Sequence, residues 1–563
     1  MTGSHPDRRA ALARMLSLGA WPALPGALTE LDDLVGTGRG SDDSVDDAAI
    51  RGGAALAGLE FTPAERGMML ATLRRARDGF LRVREVALGE EDAPATIFRP
   101  LGAPRPVEPP TTPWRAPAPP EKVSDEDLFT RSVSELGALL RAGRVSSRHL
   151  VEVALERLER ANPTLLCTVT LLAESARAAA RRCDAELAAG RDRGPLHGIP
   201  WGAKDIIAAA GAPTSWGVAS FRDRTIDRDA GVVERLQRAG AVLCAKLSTG
   251  ELAMGDRWFG GVTRNPWDPR VGSSGSSAGP ASAVAAALLP FAIGSETLGS
   301  IVSPCGRCGV TGLRPTFGRV GRGGVMALSW SMDKVGPIAR SAEDCALVLE
   351  AIAGPDPRDA SALDAPFAWR TAARPDPKKL RYGVPAGLLG RRAGRIVSDF
   401  LAAAGIPAKE VVEVDLPELP VWDLMTILNA EAAAAFDDFT LQGRLGELAG
   451  QDEGSWPNVF RAARLLPAVE MIRAQRTRRR LMRAMEERLA EIDVLVTPNH
   501  HRDVLGITNL TGHPTLVLPV EFRLGQPRTL SLVGRTFGED ALLAVAVAFQ
   551  AGTDHHRRRP DLG

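Results

Sequence analysis

The stretch NPWDPRVGSSGSSAG, residues 265–279, decides how this chain is read. Two prolines and a tryptophan give way to a run of serine and glycine. The run is too short for a flexible linker and lies between two structured regions. Glycine and serine admit backbone conformations closed to bulkier residues. Taken alone, the run fits a phosphate-binding loop or a plain turn. No Lys-Ser/Thr ending of a nucleotide loop follows it, so nucleotide binding is unsupported.

Working outward, LHGIPWGAKD (196–205) puts Lys204 where a Gly/Pro-punctuated apolar strand would end. A lysine beside an aspartate is ordinarily a surface ion pair. Downstream, GSETLGSI (294–301) follows the apolar run 288–293. A serine after a glycine-containing tight turn can face clustered backbone N–H groups, the donors a tetrahedral oxyanion needs. CGVTGLRPTFG (308–318) and SWSMDKVGP (329–337) complete the set. Around these runs, short apolar strands alternate with helices: 241–245 follows a helix over 231–239, and 494–496 follows a long helix near 469–491. That alternation predicts an α/β sheet covered by helices on both faces.

Together these runs resemble the amidase signature hydrolases. Members of that family carry a lysine in GIP-x-x-x-KD, then NPWDP, a GGSSGG loop, a G-T-D-x-GGS-I-R nucleophile loop, CG-x-x-GLKPT and D-x-(V/I)GP. Each has a counterpart here in the same order and spacing. The resemblance covers roughly residues 125–560 and closes with GITNLTGHP (506–514) and Leu518-Pro519. It implies a large mixed β-sheet fold and an amidase that cleaves a carboxamide C–N bond through a seryl acyl-enzyme. Ser300 would be the nucleophile, Ser276 (on a cis peptide bond) the proton relay and Lys204 the base. The backbone N–H groups of Thr297, Leu298, Gly299 and Ser300 would form the oxyanion hole, with Glu296 and Ser277 supporting the loop. Register matters, because Ser273 and Ser274 form an upstream GSSG copy. Counting back from Ser300 or forward from NPWDP both give Ser276.

The chemistry explains the residue types. A serine hydroxyl is a poor nucleophile until a base removes its proton. Lysine can serve as that base in a Ser–Lys arrangement. Its reference pKa of about 10.4 must then fall toward about 7–8, which burial does by disfavouring the ammonium.

Three positions depart from the family pattern: Glu296 replaces the usual Asp, Leu298 the first Gly of GGS, and Val302 the usual Arg. With that Arg gone, Glu296 needs another partner, for which Arg307 is the candidate, and Leu298 is expected to narrow the pocket floor. These departures motivate a reading as a non-catalytic scaffold, which a fluorophosphonate-type serine probe would test. Within the fold the rival is the glutamine-hydrolysing component of a tRNA-dependent amidotransferase, its A subunit. Specificity is expected from segments outside the shared motifs, near 421–470 and 498–510.

The rest of the chain sets bounds. Lys plus Arg number 69 against 68 Asp plus Glu, so no global field draws nucleic acid or anionic membrane. No apolar run is long enough to span a bilayer. Six cysteines in 563 residues make no disulfide framework. A zinc at Cys305-x-x-Cys308 is disfavoured against two small buried side chains, and no cofactor or metal is expected. The partner implied is a small-molecule amide, and a homodimer stays open. Residues 1–40 read either as a Tat-like signal (Arg8-Arg9 before 15–28), hence periplasmic or secreted, or as an amphipathic or disordered start of a cytoplasmic protein. Residues 41–99 read as a helical module with Met68, Leu70, Leu73 and Phe80 among its apolar positions. Residues 100–123 read as a Pro-rich linker and 124–560 as the catalytic domain. The arginine-rich stretch 473–483 reads as a solvated helix face.

Overall fold

The computed structural model describes residues 45–86, 114–121, 123–370, 374–391, 394–499 and 501–562. The twin arginines, the apolar run after them and most of the Pro-rich stretch lie outside the described residues.

Eleven strands form one mixed sheet. In chain order they are β1 (Thr168–Leu171), β2 (Pro200–Lys204), β3 (Val242–Leu247), β4 (Phe291–Glu296), β5 (Thr311–Arg314), β6 (Lys334–Ala339), β7 (Tyr382–Pro385), β8 (Val411–Val414), β9 (Val494–Pro498), β10 (Thr515–Arg523) and β11 (Gln526–Gly534). Across the sheet they run β1-β3-β2-β4-β6-β5-β10-β11-β9-β7-β8. The β3-β2-β4 and β9-β7-β8 neighbours are parallel, and the remaining pairs are antiparallel. Every residue of β2, β4, β5 and β6 is buried, as expected for strands covered on both faces.

The helices start where their capping chemistry dictates. Helix α1 spans Asp47–Leu56, with the Asp46 side chain accepting from the Ala49 N–H. Helix α2 spans Pro63–Glu85 behind a Thr62/Glu65 capping box, with Pro at its first position. Helix α3 (Ser147–Leu165) begins at the Ser146 cap. Helix α4 (Ala278–Ala285) is buried along its whole length and lies against β2, β3, β4 and β6. Its glycine is sterically required: a Cβ on Gly279 would sit 2.4 Å from the Ser248 nitrogen and 2.5 Å from the Cys167 carbonyl oxygen.

Two expectations change. In α2 the buried positions are Met69, Gly79 and Val83, and Met68, Leu70, Leu73 and Phe80 are only half-buried. The helix docks through Met69, Gly79 and Val83, and at the glycine the approach is close: a Cβ on Gly79 would meet Asp423 Oδ1 at 2.9 Å. The arginine-rich helix, Ala468–Leu489, is also not simply solvated. Arg478 is buried and donates to the Leu510 and Ser331 carbonyls and to Ser331 Oγ. Arg473 donates to the Val83, Arg84 and Val86 carbonyls at the C-terminal end of α2, where a cation is favoured. No helix among the described residues is long and apolar enough to cross a membrane.

Candidate active site

Strand β2 ends on Lys204, and the neighbouring β4 ends on Glu296. The loop bearing Ser276 and Ser277 enters α4, and the turn after β4 carries Ser300 into helix α5 (Val302–Cys308). The topology therefore brings Lys204, Ser276 and the Ser300 loop to one end of the parallel β3-β2-β4 unit.

Lys204 has no exposed surface. Its Nζ donates to Ser276 Oγ at 2.8 Å and to Ser295 Oγ at 2.9 Å. Burial pushes its pKa down to about 7, against the opposing pull of the Asp333 and Glu296 carboxylates. Ser276 follows a cis peptide bond from Gly275. Ser277 locks the loops together: its Oγ donates to the Ser295 carbonyl at 3.0 Å and accepts from the Ser295 N–H at 3.1 Å. Its own N–H donates to the Ser300 carbonyl at 3.0 Å. Ser300 is 8% exposed, so part of this residue reaches the accessible surface. The Leu298, Gly299 and Ser300 N–H groups donate to no other described residue, and Gly299 holds the turn with φ +88°. Thr297, the remaining position of that loop, donates its hydroxyl to Asp333 Oδ1 at 2.6 Å.

The upstream serines are engaged elsewhere. Ser273 Oγ donates to the Ser274 carbonyl at 2.9 Å, and the Ser274 N–H donates to Asp256 Oδ2 at 3.0 Å. Ser276, the serine chosen by register, is the one in contact with Lys204.

Glu296 is fully buried and accepts from the Ile301 and Val302 N–H groups at 2.8 and 2.9 Å, so it braces the turn that carries Ser300. Its cation is Arg314 on β5, paired at 2.7 Å, and Asn509 Nδ2 donates to it at 2.9 Å. Arg307, the partner expected from the sequence, is exposed on α5. A residue in a short helix beside the loop can point outward, whereas Arg314 arrives from the interior of the sheet. Burial raises the Glu296 pKa, but Arg314, Lys334 and the Val302 N–H outweigh it and hold it at about 2. Leu298 packs against the hydrophobic core and is not part of the cavity wall described next, so the expected narrowing of the pocket floor is not seen.

A cavity of about 480 Å³ opens beside this cluster, with Ser295, Thr297 and Asp333 at one end and Trp330, Glu431 and Gln475 on its wall. Glu431 lies within the specificity segment 421–470, but Gln475 does not. His501 is not on that wall; it caps the helix Arg502–Thr511 by accepting from the Val504 N–H, and His500 lies outside the described residues. The six cysteines are buried and free. Among the described residues no group of three His, Cys, Asp or Glu side chains is placed to hold a metal.

Sequence reasoning missed Ser295, Arg314 and Asn509. All three stood inside recognised runs, but nothing in the spacing shows that Ser295 meets Lys204 or that Arg314 and Asn509 converge on Glu296.

Comparison with known proteins agrees with this architecture. The family model described as Amidase matches residues 149–543. The A subunit of glutamyl-tRNA(Gln) amidotransferase from Roseiflexus sp. (strain RS-1) is 37% identical over 485 residues, covering 77% of this chain and 99% of that protein. The native peptide amidase of Stenotrophomonas maltophilia superposes with a TM-score of 0.65 at 30% identity, over 76% of this chain and 98% of that one. A structure described as an unexpected vestigial protein complex, bearing on the origins of an s-triazine catabolic enzyme, gives a TM-score of 0.66 at 28% identity, over 75% and 98%. The lysine at the end of β2, the doubled serine entering α4 and the glycine-serine turn after β4 are thus set in a fold shared with these proteins, and the chain belongs to the amidase family, enzymes that act on C–N bonds.

Proposed function

We propose that the protein hydrolyses a carboxamide through an acyl-enzyme on Ser300. The observation that carries this reading is the 2.8 Å contact between a fully buried Lys204 amine and Ser276 Oγ. With Lys204 uncharged, its nitrogen lone pair takes the Ser276 proton while Ser276 takes that of Ser300. Ser300 Oγ then bonds to the amide carbon, and the Leu298, Gly299 and Ser300 N–H groups receive the oxyanion. When the C–N bond breaks, the leaving nitrogen recovers the proton along the same relay. Water attacks the ester in the second half-reaction, with Lys204 again the base.

The acid limb of the pH profile tests this role. A general base must be unprotonated, so kcat/KM should rise with pH through about 7 and level above it. A limb near 10.5, the value of a solvated lysine, would contradict it. Stability follows the same sign. Between about pH 7 and 10.5 the unfolded chain binds a proton that the folded chain lacks, so this group's contribution rises with pH there.

A second reading, hydrolysis of glutamine to supply ammonia to a partner protein, is favoured by the curated relatives, which are amidotransferase A subunits. Glutamine is therefore the first amide to assay, beside a panel of simple amides and esters. Ammonia release from glutamine that exceeds the panel would select this reading. Hydrolysis of the panel with glutamine inert would select a stand-alone amidase.

A further inference from the structure

The cavity beside Thr297 contains a polar group that the hydrolytic chemistry does not use. Gln475 is 4% exposed, and its Oε1 has no donor among the described residues. A buried acceptor without a partner is costly, and its presence on a cavity wall calls for a ligand donor. Beside it, Glu431 accepts from the Ser331 N–H at 3.1 Å and from Ser329 Oγ, both on Oε2. Trp330, half-exposed, adds an aromatic surface to the same wall.

The cations around the cavity are already engaged. Arg322 is bound to both carboxylate oxygens of Asp359 and to the Asp333 carbonyl. Arg358 is held by Asp356 and Glu234. Lys334 donates to Asn509 Oδ1 at 2.9 Å. What the wall offers a ligand is therefore an amide oxygen, a carboxylate and an aromatic face. That set accepts hydrogen bonds and attracts positive charge.

We propose that this cavity is the subsite for the acyl part of the substrate, and that it selects amides whose acyl chain ends in an ammonium or a comparable N–H donor, with Gln475 Oε1 as the specificity-determining acceptor and Glu431 supplying the charge. This rests on the amide-hydrolase reading above, which places the scissile carbonyl at Ser300.

The test compares ω-aminoalkanamides of three to five methylenes with the alkanamides bearing methyl in place of ammonium, and with the ω-carboxyalkanamides. For at least one chain length, the ammonium compound should exceed its methyl isostere in kcat/KM by about ten-fold or more, and the carboxylate compound should be the poorest. In Gln475→Met that ratio should fall by about ten-fold, with the change mainly in KM. In Gln475→Glu it should rise. Because the readout is a ratio within one protein preparation, partial misfolding does not imitate it. Equal use of ammonium and methyl compounds, a preference for carboxylate, or a ratio unmoved by Gln475→Met would overturn the inference. If no amide is hydrolysed, it is the acyl-enzyme reading that fails. Calorimetric binding of the same compounds to Ser300→Ala protein, with and without Gln475→Met, then decides the subsite by the same ratio.

Discussion

Replacing Ser300 by alanine is expected to lower kcat on amides by a factor on the order of 10^4–10^6, leaving a folded protein. Lys204→Ala and Ser276→Ala should fall in the same range. In the proposed mechanism the three side chains act as one proton path, so a double variant should be scarcely worse than either single one. The measurement is steady-state ammonia release on variants whose circular dichroism matches the parent. Ser273→Ala is the control, because its hydroxyl is bonded to the Ser274 carbonyl at 2.9 Å, away from the lysine. Near-normal turnover of a slow anilide by Ser276→Ala would remove the relay role. A dead Ser273→Ala beside an active Ser276→Ala would move the register.

The second large effect is on stability. Arg314→Met should cost about 3–5 kcal/mol, because it leaves Glu296 as an uncompensated charge in a fully buried site. It should also lower kcat, since Glu296 holds the Ile301 and Val302 N–H groups that shape the turn carrying Ser300, the proposed nucleophile. The pH dependence has a definite sign. The Glu296 pKa is held at about 2, below its ordinary 4.5, so the pair's contribution is complete above about 4.5 and is lost as pH falls toward 2. Chemical denaturation of parent and variant at pH 7 and at pH 3 checks both points. The difference between the two proteins should shrink at the lower pH, and a cost below about 1 kcal/mol at pH 7 would show that the pair is not the brace.

What could be read in advance was local. Lys204, Ser276 and the Ser300 turn stand at the ends of strands in runs of glycine, serine and proline, and such runs fix backbone geometry without help from distant residues. Helix starts at Thr62 and Ser146 obey the same local rule, since a cap and its N–H lie within three residues. The brace was not. Glu296 and Arg314 meet because β4 and β5 both flank β6, and proximity in sequence pointed instead to Arg307. Part of the cavity wall was hidden in the helix Ala468–Leu489, whose charge suggested a solvated face. Its composition could not reveal that Arg478 turns inward to Ser331, nor that Gln475 is carried into a cavity between these contacts. Sequence patterning sees one element at a time, and each of these features is a meeting of two or three elements.

The docking of α2 has a consequence for the far side of the molecule. Arg473 grips the C-terminal carbonyls of α2, Arg478 grips the loop that holds Trp330, and Gln475 lies between them on one helix. Arg82 and Asp423, and Arg461 and Glu65, pin α2 elsewhere along the same side. The helix Ala468–Leu489 thus works as a strut, with the chain's early segment at one foot and the cavity beside Thr297 at the other. Trimming this protein back to residues 149–543, the span matched by the family model, would free one foot of that strut, and under the proposed subsite the expected loss falls first on which amides it accepts rather than on whether it can cleave one.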